Sequence, residues 1–142
     1  MSKLNITLNG KPCEIEVDPG ETLLHAIRDR TQTCSVKDGC SPQGQCGCCL
    51  ALVDGRAITI CSLAATKAEG KSIVTLEGLD PELRKTYASC FEAAAGLQCG
   101  FCIPGIVMRA HFLLEKTPDP QPAEIVKALD GVDVVFLGEQ HD

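Results

Sequence analysis

The sequence has no surplus of basic residues, no long apolar run and no secretory leader pattern, and each lack narrows the function. Lysine and arginine number 13 against 19 aspartates and glutamates, a formal net charge of −6. That balance excludes nucleic acid or an anionic membrane as the main partner surface. The longest apolar stretch, residues 101–108, is broken by Pro104 and Gly105 and falls far short of the roughly 20 residues that span a bilayer. Met1 to Val17 alternates apolar and polar residues with charges throughout, where a leader has a basic start and an apolar centre. The expectation is a cytoplasmic protein. No G-x-S-x-G, H-E-x-x-H, P-loop or G-x-G-x-x-G pattern occurs, so hydrolase, metalloprotease and nucleotide-binding readings have no motif, and a flavin site is equally missing. Neither an internal repeat nor a low-complexity tract appears.

What is present is cysteine. The 142 residues are ordinary for a globular chain at 44% apolar and 23% charged, yet they hold ten cysteines, eight of them between Cys40 and Cys102. In a reducing compartment such thiols serve as metal ligands or redox groups more often than as structural disulfides.

The first half reads as β structure. Leu4, Ile6 and Leu8, then Cys13, Ile15 and Val17, alternate with polar residues on either side of Asn9-Gly10, which predicts a hairpin. Leu23, Leu24 and Ile27 predict a short helix over 21–30 with His25, Arg28 and Asp29 on its polar face. Residues 37–49, rich in Gly, Pro and Cys, must form a loop. Two strands joined at Asp54-Gly55 follow, the second ending at Cys61, and residues 72–76 give another. After Gly78 the spacing turns helical, so a domain boundary is expected there. Asp80-Pro81-Glu82 opens a helix with an N-cap carboxylate and a first-position proline. It should run to about Ala95, stop at Gly96, and carry Leu83, Tyr87, Cys90, Phe91 and Ala94 on its apolar face. A second helix opens at Pro104 with Val107, Ala110, His111 and Leu114, and a third spans 123–129; residues 132–137 look strand-like.

Cys40, Cys46 and Cys49 form a C-x5-C-x2-C loop with Cys61 twelve residues further on. Three thiols in one loop and one remote suit a [2Fe-2S] cluster, and Gly39, Gly44 and Gly47 would let backbone N–H groups approach its sulfurs. The plant-type spacing is one residue shorter in the first gap. Cys48, wedged between Cys46 and Cys49, is read as a non-ligand. Zinc and free thiols are the other readings, although zinc sites favour paired C-x2-C knuckles. A second motif, Gln98-Cys99-Gly100-Phe101-Cys102-Ile103-Pro104-Gly105, holds a C-x2-C that could be a thioredoxin-like pair. It follows a helix, whereas the thioredoxin motif follows a strand.

These residues, with Thr75-Leu76-Glu77-Gly78, resemble the small iron–sulfur subunit of the molybdenum hydroxylases, the xanthine dehydrogenase, aldehyde oxidoreductase and carbon monoxide dehydrogenase family. The resemblance covers about residues 3–131. It implies an α+β chain: a plant-type ferredoxin β-grasp domain over 1–78 with one [2Fe-2S] cluster on Cys40, Cys46, Cys49 and Cys61, then a four-helix domain over 79–131. The second domain would hold another [2Fe-2S] cluster to which Cys99 and Cys102 give two ligands, and Gln98 would sit against the molybdopterin of a large partner subunit. Electrons would leave to an FAD-binding subunit or a soluble acceptor, and no catalytic residue is expected in this chain.

One departure stands out. Family members carry a C-R-C-T-G-Y type segment after the last helix, which provides the other two ligands of the second cluster, whereas Gly131 is followed here by VDVVFLGEQHD. His141 and Asp142 offer non-thiol ligands, but mixed ligation of the Rieske kind needs two histidines on one iron. The expectation is that residues 132–142 reflect a truncation, a shift of frame or a joined tail. His25 and His111 are read as surface or interface groups, and Cys13, Cys34 and Cys90 as packing or incidental thiols. A stand-alone ferredoxin-like carrier and a zinc-stabilised interaction module are the alternative functions.

Overall fold

The structure, a computed structural model, describes residues 1–130. The strand-like stretch expected over 132–137, the unmatched tail, His141 and Asp142 lie outside the described residues. The chain is α+β. Its strands are β1 (Ser2–Leu8), β2 (Lys11–Val17), β3 (Leu50–Val53), β4 (Arg56–Thr59) and β5 (Ser72–Val74). The helices are α1 (Leu23–Arg30), α2 (Pro81–Ala93), α3 (Ile103–Lys116) and α4 (Pro122–Leu129). One mixed sheet runs in the order β2-β1-β5-β3-β4, with β1 and β5 parallel and the other neighbours antiparallel.

The hairpin forms where the alternation places it. Ser2 pairs with Val17 and Leu8 with Lys11. Asn9 and Gly10 have φ of 51° and 80°, the two left-handed residues that match the twist of the flanking strands. The first helix starts at Leu23 because the Thr22 hydroxyl accepts from the His25 N–H at 3.4 Å, an N-cap interaction. Its Leu23, Leu24, Ala26 and Ile27 are buried. The strand expected to carry Cys61 ends earlier, at Thr59, and Cys61 lies on a 3-10 turn, Ile60–Ser62, where the Ser62 hydroxyl donates to the Thr59 carbonyl at 2.9 Å.

All four residues of β3 are buried, because both faces of the sheet are covered. Ala51 and Val53 join a core with Leu4, Ile6, Val17, Leu24, Ile27 and Ile73, while Leu50 and Leu52 face Leu79, Val107 and Met108. The α3 helix therefore rests on the face opposite α1. Residues 79–130 give three helices among the described residues. The apolar face expected for α2 is narrower than its spacing suggests: Leu83, Tyr87 and Phe91 are half-buried, whereas Cys90 and Ala94 are exposed. The helix stops at Ala93, and the Gly96 N–H closes back on the Phe91 carbonyl at 2.9 Å. In α3, Val107 is buried as expected, Met108 is buried beside it, and Leu114 is exposed.

Gly105 joins this half to the cysteine loop. A Cβ at this position would overlap the Gly47 carbonyl and lie 3.3 Å from the Cys48 Cα, so only glycine allows α3 to approach that closely. Gly105→Ala is expected to destabilise the chain by about 1–3 kcal/mol through overpacking, read as a lower midpoint in denaturant unfolding.

Candidate metal centre

The segment leading into the cysteine loop has no regular structure and is held by side chains. The Glu77 carboxylate accepts from the Cys34 N–H at 3.0 Å, the Ser35 N–H at 2.9 Å, the Ser35 hydroxyl and the Thr75 hydroxyl. From the other side, the Arg28 guanidinium donates to the carbonyls of Cys34 at 2.6 Å and Val36 at 2.9 Å. The Lys37 N–H then donates to the Cys48 carbonyl at 3.0 Å, tying the two ends of the loop together.

Burial works to raise the pKa of Glu77, but the donors from Ser35 and Thr75 outweigh it and hold the carboxyl below its ordinary value. A depressed folded pKa means that the clamp stabilises the fold fully above the unfolded carboxyl pKa of about 4.3, and that this contribution is lost as pH falls through the lower folded value. Glu77→Gln should therefore release the loop at neutral pH, and the difference in stability between wild type and variant should shrink from about pH 5 downward. Parallel acid titrations followed by circular dichroism check both parts.

Inside the loop, backbone N–H groups point at sulfur. Cys40 Sγ accepts from the Gln43 N–H at 3.2 Å, Cys49 Sγ from the Cys61 N–H at 3.4 Å, and Cys46 Sγ from the Cys48 N–H at 3.5 Å. Burial tends to raise the Cys40 pKa, yet the N–H groups of Cys46, Gln45 and Gln43 together bring it down to about 6. The other thiols are deeper. Burial pushes Cys49 up to about 12, and pushes Cys61 up as well, although contact with Cys49 and the Gly44 N–H opposes the Cys61 shift. Gly47 has φ of 73°, a backbone conformation L side chains rarely adopt, and it turns the chain so that Cys49 faces Cys61 while Cys46 does not. Cys46, Cys49 and Cys61 are buried and Cys40 is half-buried.

The donor set fits a [2Fe-2S] cluster. Four thiols are available, and N–H groups are already aimed at the sulfurs that would carry its negative charge. Burial disfavours the charged forms of Cys49 and Cys61, and iron held by these thiols would supply the compensating charge. Among the described residues, no three His, Cys, Asp or Glu side chains converge on the position of a single ion.

Cys48 does not point toward Cys49. It is buried with Cys46 and Cys102, next to Cys40, Phe101 and Ile106, and burial, with the Cys46 sulfur beside it, pushes its pKa up to about 12. The second motif is split. Cys102 is buried at the N-cap of α3, whereas Cys99 and Gln98 are exposed. Cys99 lines a surface groove of about 320 Å³ with Asp38, Gly39 and Phe101. The Lys37 ammonium lies 3.4 Å from the Phe101 carbonyl and 5.1 Å from its ring centre, which seats this turn against the cysteine loop. His25 is half-buried with its ring 3.8 Å from Asp38; His111 is also half-buried, and Cys34 and Cys90 are exposed. The Glu77 and Arg28 clamp was not foreseen, and Thr75-Leu76-Glu77-Gly78 was its only trace in the sequence.

Two family models match the chain. Residues 6–76 match the family described as a 2Fe-2S iron-sulfur cluster binding domain, and residues 75–132 match a [2Fe-2S] binding domain. The nicotinate dehydrogenase small FeS subunit of Eubacterium barkeri is 38% identical over 129 residues, covering 90% of this chain and 82% of that protein. The xanthine dehydrogenase iron-sulfur-binding subunit of Escherichia coli O157:H7 is 38% identical over 130 residues, covering 91% and 80% respectively. Among solved structures, quinoline 2-oxidoreductase from Pseudomonas putida 86 superposes with a TM-score of 0.84 at 34% identity, covering 92% of this chain and 81% of the matched one. No helix among the described residues is long and apolar enough to cross a membrane. With family matches on both halves and these relatives over nine-tenths of its length, the chain belongs to the small [2Fe-2S] iron–sulfur subunits of the molybdenum hydroxylases, the electron-transfer subunits of oxidoreductase complexes.

Proposed function

We propose that the chain is the electron wire between a large molybdopterin-binding subunit and an FAD-binding subunit or soluble acceptor. In this reading residues 1–78 are a plant-type ferredoxin β-grasp domain, and residues 79–131 a small helical-bundle domain that meets the large subunit, in the cytoplasm. Cys40, Cys46, Cys49 and Cys61 hold the first cluster, and Cys99 and Cys102 give two ligands to a second, with Gln98 against the pterin. Bound there, a [2Fe-2S] cluster accepts and returns one electron at a time. The protein's own residues set how readily that happens: the N–H groups of Gln43, Cys48 and Cys61 aimed at sulfur favour the more negative reduced state, and the chain's net charge of −6 opposes it. Arg28 and Glu77 fix the loop so that little rearranges as the charge changes.

The observation that carries the reading is the Cys61 N–H donating to Cys49 Sγ at 3.4 Å, because it brings the remote thiol to the loop that holds the other three. The exposed Cys99 turn gives the second half a face for the partner. Co-expression with the molybdenum-containing subunit tests it. The account expects the two to elute together and the visible absorbance of the small subunit to bleach when substrate is added. A chain that elutes alone with its cluster intact is the stand-alone carrier, and one that binds stoichiometric zinc and no sulfide is the interaction module.

A further inference from the structure

Cys46 and Cys48 share one pocket. A Cβ built on Gly39 would lie 2.8 Å from the Cys46 Sγ and 3.3 Å from the Cys48 Sγ, so both sulfurs lie over the same point of the backbone. Both residues are 1% exposed, and both belong to the buried group that Cys40 flanks. Cys49 goes the other way, into the first core with Cys61. Between Cys46 and Cys48 lies Gly47 at φ 73°, a residue without a Cβ to hinder a change of backbone direction.

We propose that Cys48 is a reserve ligand of the first cluster, able to take the place of Cys46. The inference rests on the ligand set proposed above. The Cys48 N–H donates to the Cys46 Sγ at 3.5 Å, so the backbone of Cys48 already lies against the sulfur its own thiol would replace. When the Cys46 sulfur is lost, the loop turns at Gly47, the Cys48 thiol releases its proton to solvent, and its sulfur bonds the iron that Cys46 had held. The cluster keeps four thiolates and its oxidation state does not change. Cys61 has no such neighbour in sequence: Ile60 and Ser62 flank it.

The test uses the full chain, reconstituted anaerobically with iron and sulfide, as wild type, C46A, C48A, C46A/C48A and C61A. Acid-labile sulfide, electron paramagnetic resonance of the reduced protein and far-ultraviolet circular dichroism are read on each. First-site content is taken as the difference from C61A, so any second cluster cancels. C48A should match wild type, C46A should keep most of its first-site sulfide with an altered resonance, and C46A/C48A should fall at least about tenfold below C46A. A folded C46A as empty as the double variant overturns the inference and leaves the wild-type ligand set standing. Wild type without labile sulfide overturns both. Should C46A fail to fold, C46S keeps the side-chain volume: a four-sulfur spectrum in C46S that changes to one with an oxygen ligand in C46S/C48A supports the swap, and identical spectra in the two contradict it.

Discussion

Cys61→Ala is expected to strip the chain of the first cluster, about two irons and two acid-labile sulfides, while the sheet stays folded. The two effects separate because Cys61 sits in the middle of a short 3-10 segment whose position comes from its neighbours. Ile60 is fully buried in the first core, and the Leu63 N–H closes the turn on the Ile60 carbonyl. Removing one sulfur from a site 3% exposed costs packing on the order of 1 kcal/mol, which a domain of this size tolerates. The cluster has no such tolerance. In the proposed ligand set its fourth thiolate comes from a segment outside the loop, and without Cys61 three thiolates would have to serve two irons. The Cys61 N–H still donates to Cys49, so loss of iron in this variant reports the thiolate alone. Iron and sulfide analysis with circular dichroism on one sample reads both halves of the expectation.

The second large effect belongs to Cys102. In the assembled complex, Cys102→Ala should leave the resonance of the first cluster in place and cut electron delivery to the terminal acceptor by more than about a hundredfold, beyond the 10–100-fold that loss of an outer hydrogen-bonding partner costs a metal site. The position explains the size of the effect. Cys102 is 4% exposed, caps α3, and packs against Cys46 and Cys48, so the thiol of the second motif lies directly behind the first cluster loop. Cys99, exposed at the groove, faces outward. A step broken at Cys102 separates substrate oxidation from acceptor reduction. An artificial oxidant that takes electrons at the large subunit should still turn over at the wild-type rate, and equal losses with both oxidants would place the role of Cys102 elsewhere.

Much of this arrangement was legible from local patterns. Alternation at Leu4, Ile6 and Leu8 and the Asn9-Gly10 turn fixed the hairpin and its register, because period-2 spacing and a turn with two left-handed residues leave one solution. The cysteine spacing pointed to the loop and to Cys61 by chemistry alone. The shape of the turn at Cys61 was hidden, since Ala57 to Cys61 is as apolar as a strand and only the hydroxyls of Thr59 and Ser62 bend it. Glu77 was hidden for a different reason: its partner Ser35 is 42 residues away, and no periodicity links positions that far apart. The narrow inner face of α2 follows from tertiary placement as well. Cys90 has the spacing of a core residue, yet only Tyr87 and Phe91 of this helix pack against the second core, and Leu83 is half-buried. Cys48 is the most instructive case. Its adjacency to Cys49 marks it as a non-ligand in the sequence, whereas the structure packs it against Cys46 and Cys102, a neighbourhood that no local spacing reveals.

The central claim is that these thiols hold iron and sulfide for one-electron transfer. Iron and acid-labile sulfide per chain, measured on anaerobically prepared protein together with electron paramagnetic resonance after dithionite reduction, test it most directly. The account predicts at least about two irons and two sulfides per chain, with a signal from the reduced cluster that disappears in Cys61→Ala. Freshly prepared protein with no labile sulfide and no such signal would contradict it, whatever other metal the cysteines hold.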